Sequence, residues 1–171
     1  MSAEFNFEVI PVADVPREDT VVLPSKRPII LIVDDEKVIA DTLSIILSQS
    51  GFDTMTAYDG ARALELAGKR APDLLISDVV MPNMSGVDLA ITMTRAIPSC
   101  KVLLFSGQAA TVDLLKRARK HGHDFTTLTK PVHPTDMLRR IYECLATSDA
   151  LHLTPPAHLA GKTQEAEYST K

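Results

Sequence analysis

Four apolar runs in this 171-residue chain each lead into a side chain able to do chemistry. Ile29–Val33 runs into Asp34-Asp35-Glu36, Asp73–Ser77 into Asp78, Lys101–Phe105 into Ser106-Gly107, and Phe125–Thr129 into Lys130-Pro131. If the ends of these runs meet, three carboxylates, one hydroxyl and one ammonium share a crevice. As bare structure such a group is costly. At an effective dielectric of ~20, two like charges ~4 Å apart repel by about 4 kcal/mol. A hard divalent cation, Mg²⁺ or Mn²⁺, relieves that repulsion with oxygen ligands and leaves room for phosphate oxygens. Lys130 adds a compact positive charge suited to a phosphoryl oxygen, and Ser106 can donate a hydrogen bond to another. The chemistry implied is a metal and a phosphoryl group held at a carboxylate. The first turn has acids where a dinucleotide or P-loop site needs glycines, so nucleotide binding of those kinds is disfavoured.

The elements that must position these residues follow from periodicity. Residues 28–146 alternate β-rich apolar runs with helical patterns five times. Strands are expected at 29–33, 53–57, 73–77, 101–105 and 125–129, the first a continuous apolar run of the kind covered on both faces. Between them, Ile39, Leu43, Ile46 and Leu47 share a helix face that Gly51 ends, and further helices are expected at 60–68, 86–97 and 110–121. Pro134 opens a last helix with Met137, Leu138, Ile141 and Leu145 on one side. Strands alternating with helices at these lengths mean βαβ units and an α/β fold, a five-stranded parallel sheet wound on both faces. In such sheets ligands bind outside the carboxyl ends of the strands, where the reactive residues lie.

Composition bounds the rest. The chain is 45% hydrophobic with a formal net charge of -4, which argues against a general nucleic-acid binder. Residues 28–146 hold 14 acids and 13 bases, so the charge excess lies in the flanks. Cys100 and Cys144 cannot make a disulfide scaffold and read as small buried hydrophobes. No apolar run approaches the ~20 residues that cross a bilayer, and Met1-Ser2-Ala3-Glu4 does not begin like a signal peptide, so a cytoplasmic protein without membrane insertion is expected. Residues 1–27 and 147–171 read as extensions of a 28–146 domain, the second as a disordered tail. Phe5, Phe7 and Val9 alternate as a strand does, implying either an added edge strand or a solvated leader.

Ile30-Leu-Ile-Val-Asp-Asp-Glu36, Asp73-Leu-Leu-Ile-Ser-Asp-Val-Val-Met-Pro-Asn-Met-Ser-Gly86, Leu104-Phe-Ser-Gly107 and Thr129-Lys-Pro131 together resemble the receiver domain of two-component response regulators. The resemblance covers about residues 28–146 and implies a flavodoxin-like sheet of strand order 2-1-3-4-5. It further implies that Asp78 accepts a phosphoryl group from a histidine kinase or histidine phosphotransfer protein. Asp35 would hold Mg²⁺ directly and Asp34 through water, with Asp78 and the Val80 carbonyl as further ligands. Ser106 would be the switch hydroxyl and Lys130 the phosphate-binding lysine. The protein would then be no turnover enzyme but an acceptor that switches a protein-binding surface, with a phosphorylation-dependent dimer as one outcome.

One departure concerns the switch. The family's aromatic three residues before the lysine is here Thr127, with Phe125 two residues earlier on the same strand face. Either the strand bulges and Phe125 takes that role, or coupling through an aromatic is weak; weak coupling is favoured. A pseudo-receiver that only binds is therefore the alternative function. An aspartyl-phosphate phosphatase is disfavoured because Val80 stands where its second carboxylate belongs. Lys116, Arg117, Arg119 and Lys120 on the fourth helix, with Arg139 and Arg140 on the fifth, form a candidate surface for an acidic downstream partner, although cations also suit a helix end.

Overall fold

The computed structural model describes residues 27–107 and 110–146. The Phe5–Val9 segment, read from the sequence as either an added edge strand or a solvated leader, and the expected tail lie outside these residues. Five strands alternate with five helices: β1 Ile29–Val33, α1 Lys37–Gln49, β2 Asp53–Ala57, α2 Gly60–Lys69, β3 Leu74–Asp78, α3 Gly86–Ala96, β4 Lys101–Ser106, α4 Ala110–Lys120, β5 Thr126–Thr129 and α5 Pro134–Ala146. The strands form one sheet, all parallel, in the order β2-β1-β3-β4-β5. This is the doubly wound architecture that the alternation requires.

Two apolar layers hold the sheet. Leu31, Val33, Leu75, Val102 and Leu104 face α2, α3 and α4, meeting Ala63, Leu89, Met93 and Ala118. Ile30, Ile32, Leu74, Ile76, Leu103 and Phe105 face α1 and α5, meeting Ala40, Leu47, Met137, Ile141 and Leu145. All five residues of β1 are buried, each contributing about 1.5–3 kcal/mol by leaving water. Cys100 is a core residue, and burial pushes its thiol up to about 12, so it behaves as a small hydrophobe.

Strand ends differ from the sequence expectation by about one residue, for identifiable reasons. β3 begins at Leu74 because Asp73 turns its carboxylate back to the amide of Ile29, 2.7 Å away, tying two strands at the sheet's amino edge. β3 and β4 run one residue further, through Asp78 and Ser106, since Asp78 pairs with Phe105 and Ser106 with Thr129. α1 ends through Gly51, whose φ of +94° few other residues adopt readily.

β5 starts at Thr126, one residue after the expected start, and its four residues pair in unbroken register with Leu103–Ser106. Phe125 leaves the ladder, stacks on His123 at a centroid distance of 5.8 Å and packs into the α2–α3–α4 layer.

Candidate functional site

The reactive residues converge at the carboxyl edge because every strand of a parallel sheet ends there. Asp34 follows the last residue of β1 and is buried, with 2% of its surface exposed. A buried carboxylate needs partners, and it has two. Its Oδ1 accepts the Glu36 amide at 3.0 Å, and its Oδ2 accepts Lys130 Nζ at 3.1 Å. Asp35 is exposed beside it, and Asp78 is half-buried at the end of β3. One carboxylate oxygen from each of Asp34, Asp35 and Asp78 lies within 4.8 Å of the others.

Asp78 is held from three directions. Its Oδ1 accepts the Val79 amide at 2.9 Å and lies 3.3 Å from Lys130 Nζ. Its backbone carbonyl accepts Ser77 Oγ at 2.9 Å. Val79 in turn donates its amide to the Phe105 carbonyl at 3.0 Å, and Gly86 donates to the Val79 carbonyl at 3.0 Å, so the loop is pinned to β4 and α3. Gly86 must be glycine here. A Cβ at that position would lie well inside contact distance of the Asp78 carbonyl oxygen and 2.8 Å from Ser77 Oγ. Gly86 belongs to the motif that carries the resemblance, yet its reason appears only in the packing.

Lys130 comes from the end of β5, ninety-six residues from Asp34 in sequence, and bridges the two carboxylates. Its amide donates to the Ser106 carbonyl at 2.8 Å, and its peptide bond to Pro131 is cis. Burial works to lower the Lys130 pKa, but the hydrogen bond and charge of Asp34, with Asp78 behind them, outweigh it and leave the ammonium above its usual range. Asp78 is raised above the usual carboxylate range. Burial is the main cause and the negative charge of Asp34 adds to it, while Lys130 and the Val79 amide pull the other way. Both groups hold their protons more tightly than usual, the mark of a cluster short of positive charge.

Ser106, half-buried at the end of β4, stands one residue beyond the ladder partner of Asp78. Val80 is 54% exposed at the mouth of the site. Thr127 pairs with Leu104, two residues before Ser106, and so shares the α4-facing side of the sheet. Phe125 is not brought to the site. It lies at the amino edge, where it lines a cavity with Cys100, Lys101 and Cys144. Of the basic cluster, Arg119 pairs with Asp124, Arg139 with Asp136 and Arg140 with Glu143, all on the surface. Lys116, Arg117 and Lys120 are exposed and form no ion pair among the described residues.

Comparison with known proteins agrees with this geometry. The model of the response regulator receiver domain matches residues 30–142. The DNA-binding response regulator MtrA of Mycobacterium tuberculosis H37Rv is 30% identical over 127 residues, covering 74% of this chain and 54% of that protein. The Regulator of RpoS from Escherichia coli K12 is 38% identical over 120 residues, 70% of this chain and 35% of its own length. Among solved structures, a response regulator receiver domain protein from Clostridium thermocellum superposes with a TM-score of 0.63 at 27% identity, covering 70% of this chain and 95% of the other. The chemotaxis protein CheY4 of Vibrio cholerae gives 0.63 at 28% identity, covering 70% and 100%. The chain belongs to the response regulator receiver family. It spans about half the length, or less, of the curated relatives it matches.

Proposed function

We propose that this chain accepts a phosphoryl group on Asp78 from a phosphohistidine of a histidine kinase or phosphotransfer protein and thereby changes a protein-binding surface. The observation that carries the reading is Lys130 Nζ set between Asp34 and Asp78, with three carboxylates gathered within 4.8 Å. One ammonium does not neutralise three carboxylates. The cluster fits a hard divalent ion, and Asp34, Asp35 and Asp78 would hold Mg²⁺ or Mn²⁺, which supplies charge neutralisation to the transferred group.

The chain's own residues account for the rest of the step. An Asp78 carboxylate oxygen attacks phosphorus. The P–N bond breaks with its electron pair passing to the imidazole, which takes up a proton. Lys130, already 3.3 Å from Asp78 Oδ1, pairs with a phosphoryl oxygen, while Asp34 and the Val79 amide hold the lysine and the carboxylate in place. Ser106 donates its hydroxyl to a second oxygen, drawing the end of β4 inward. That movement biases the α4–β5–α5 face between two states. With Thr127, the ladder partner of Leu104, where the family carries an aromatic, coupling of this shift through an aromatic side chain is weak. The output is a contact with a further protein, for which exposed Lys116, Arg117 and Lys120 favour acidic chemistry.

The test uses the full chain with Mg²⁺ and acetyl phosphate, read by intact mass. One base-labile phosphoryl group is expected, absent without metal and absent in Asp78→Asn. An adduct that survives Asp78→Asn would overturn the assignment.

A further inference from the structure

The alternating segment near the amino terminus finds a counterpart at the edge of the sheet. Among the described residues β5 has a neighbour on one side only. The Lys130 amide points to β4, donating to Ser106. By the two-residue period of a strand, the amides and carbonyls of Thr127 and Thr129 point outward. An edge strand is normally guarded by charge or proline, and Thr126-Thr127-Leu128-Thr129 has neither. β2, the other edge, carries Asp53, in an ion pair with Arg70.

Charge distinguishes the two edges further. Residues 1–26 hold five acids, Glu4, Glu8, Asp14, Glu18 and Asp19, against two bases, Arg17 and Lys26. α4 finishes beside the start of β5 with Arg117, Arg119 and Lys120 in its last turn; Arg119 is paired with Asp124, and Arg117 and Lys120 form no ion pair among the described residues. Nearby, a cavity of about 430 Å³ at the amino end of β5 is lined by Cys100, Lys101, Val102 and Phe125, and also by Asp124 and Glu143, which are paired with Arg119 and Arg140. At the β2 edge, α1 has no base in its last turn, and Lys69 and Arg70 are already in ion pairs.

We propose that residues 4–10 dock on the outer edge of β5 as an antiparallel sixth strand, placing Phe5, Phe7 and Val9 on one face and Glu4, Asn6 and Glu8 on the other. The direction follows from the connection. Pro28 enters β1 at the amino edge of the sheet, and an antiparallel strand on β5 delivers Ile10 to that same edge. From β1 to a position outside β5 is four strand spacings, roughly 19 Å. The connecting residues 11–27 can reach roughly 56 Å, so the path is short enough. It crosses the cavity, where Ile10 and Val12 meet apolar walls and the acids meet Lys101 and the end of α4. Antiparallel edge strands on parallel sheets are common, and strand addition takes its affinity from main-chain hydrogen bonds. The docked segment covers part of the α4–β5–α5 face. None of this depends on phosphorylation of Asp78.

Amide hydrogen exchange of the full chain, read residue by residue by NMR, tests the docking. The comparison is with Phe5→Ser/Phe7→Ser/Val9→Ser, which leaves the described core intact. The Thr127 and Thr129 amides are expected to exchange at least tenfold faster in the variant, with Leu128 unchanged. Equal rates at Thr127 and Thr129 would overturn the proposal, as would a change confined to β2 amides. Protection that grows with protein concentration would mean that a second copy donates the strand, and would overturn the intramolecular form.

Discussion

Gly86→Ala sets two physical effects of opposite sign against each other. Gly86 is the first residue of α3, and alanine is the better helix former by about 1 kcal/mol. Propensity alone therefore predicts a more stable protein. Packing predicts the reverse, because the added methyl meets the Asp78 carbonyl oxygen and sits 2.8 Å from Ser77 Oγ. Neither is the free end of a flexible side chain. The carbonyl accepts Ser77 Oγ, and the following residue is hydrogen-bonded to Phe105, so relief requires a backbone shift of roughly 1 Å or more. Overpacking of this kind costs about 1–3 kcal/mol, which cancels or exceeds the propensity gain. The effect on chemistry is larger, since a misplacement of about 1 Å at a reacting group can cost about 100-fold in rate. Gly68→Ala in α2 is the control: nothing lies within 4 Å of its Cβ position, and a gain of about 0.5–1 kcal/mol is expected. Urea unfolding and the initial rate of labelling by acetyl phosphate measure both. If Gly86→Ala is as stabilising as Gly68→Ala and labels at the wild-type rate, the packing argument at Asp78 is wrong.

Two further predictions concern stability. The raised pKa of Asp78 means that the fold disfavours its ionised form, so its contribution to stability is present below the unfolded pKa of about 3.9 and is lost as pH rises through the higher folded value. In EDTA, Asp78→Asn should therefore be more stable than wild type at pH 7, by on the order of 1 kcal/mol, with the gain vanishing below about pH 4. Added Mg²⁺ should raise the wild-type melting temperature and narrow the difference, and a variant less stable than wild type in EDTA at pH 7 would contradict this. Thr111 is fully buried in the first turn of α4, and its hydroxyl has no hydrogen-bond partner among the described residues. Thr111→Val should leave chemical-denaturation stability unchanged or raise it by about 1 kcal/mol, whereas a clear loss would reveal a hidden partner.

Much of the fold was legible in the chain because its signals are local. Continuous apolar runs marked the buried strands, and the helical stripe of α5 and the stop at Gly51 needed no distant partner. The site was legible for a related reason. In a parallel sheet the strand ends share an edge, so Asp34, Asp35, Asp78, Ser106 and Lys130 could be grouped before any contact was known. Phe125 was harder to place. Its spacing from Thr127 suited a strand, but the register of an edge strand is set by one neighbour. That neighbour begins pairing at Thr126, leaving the ring free to stack on His123.

What the sequence alone determined is the order of elements and the identity of the groups at one sheet edge, because both follow from periodicity and chain direction. Tertiary structure decided how those groups are paired. Lys130 bridges Asp34 and Asp78 because β5 and β1 are brought into one sheet, with β3 and β4 between them, and Asp34 is buried without enough positive charge around it. It also decided that position 86 admits only glycine and that half of the basic cluster is spent on neighbouring acids. These are properties of distance between residues remote in sequence, set by packing and register, and no local pattern encodes them.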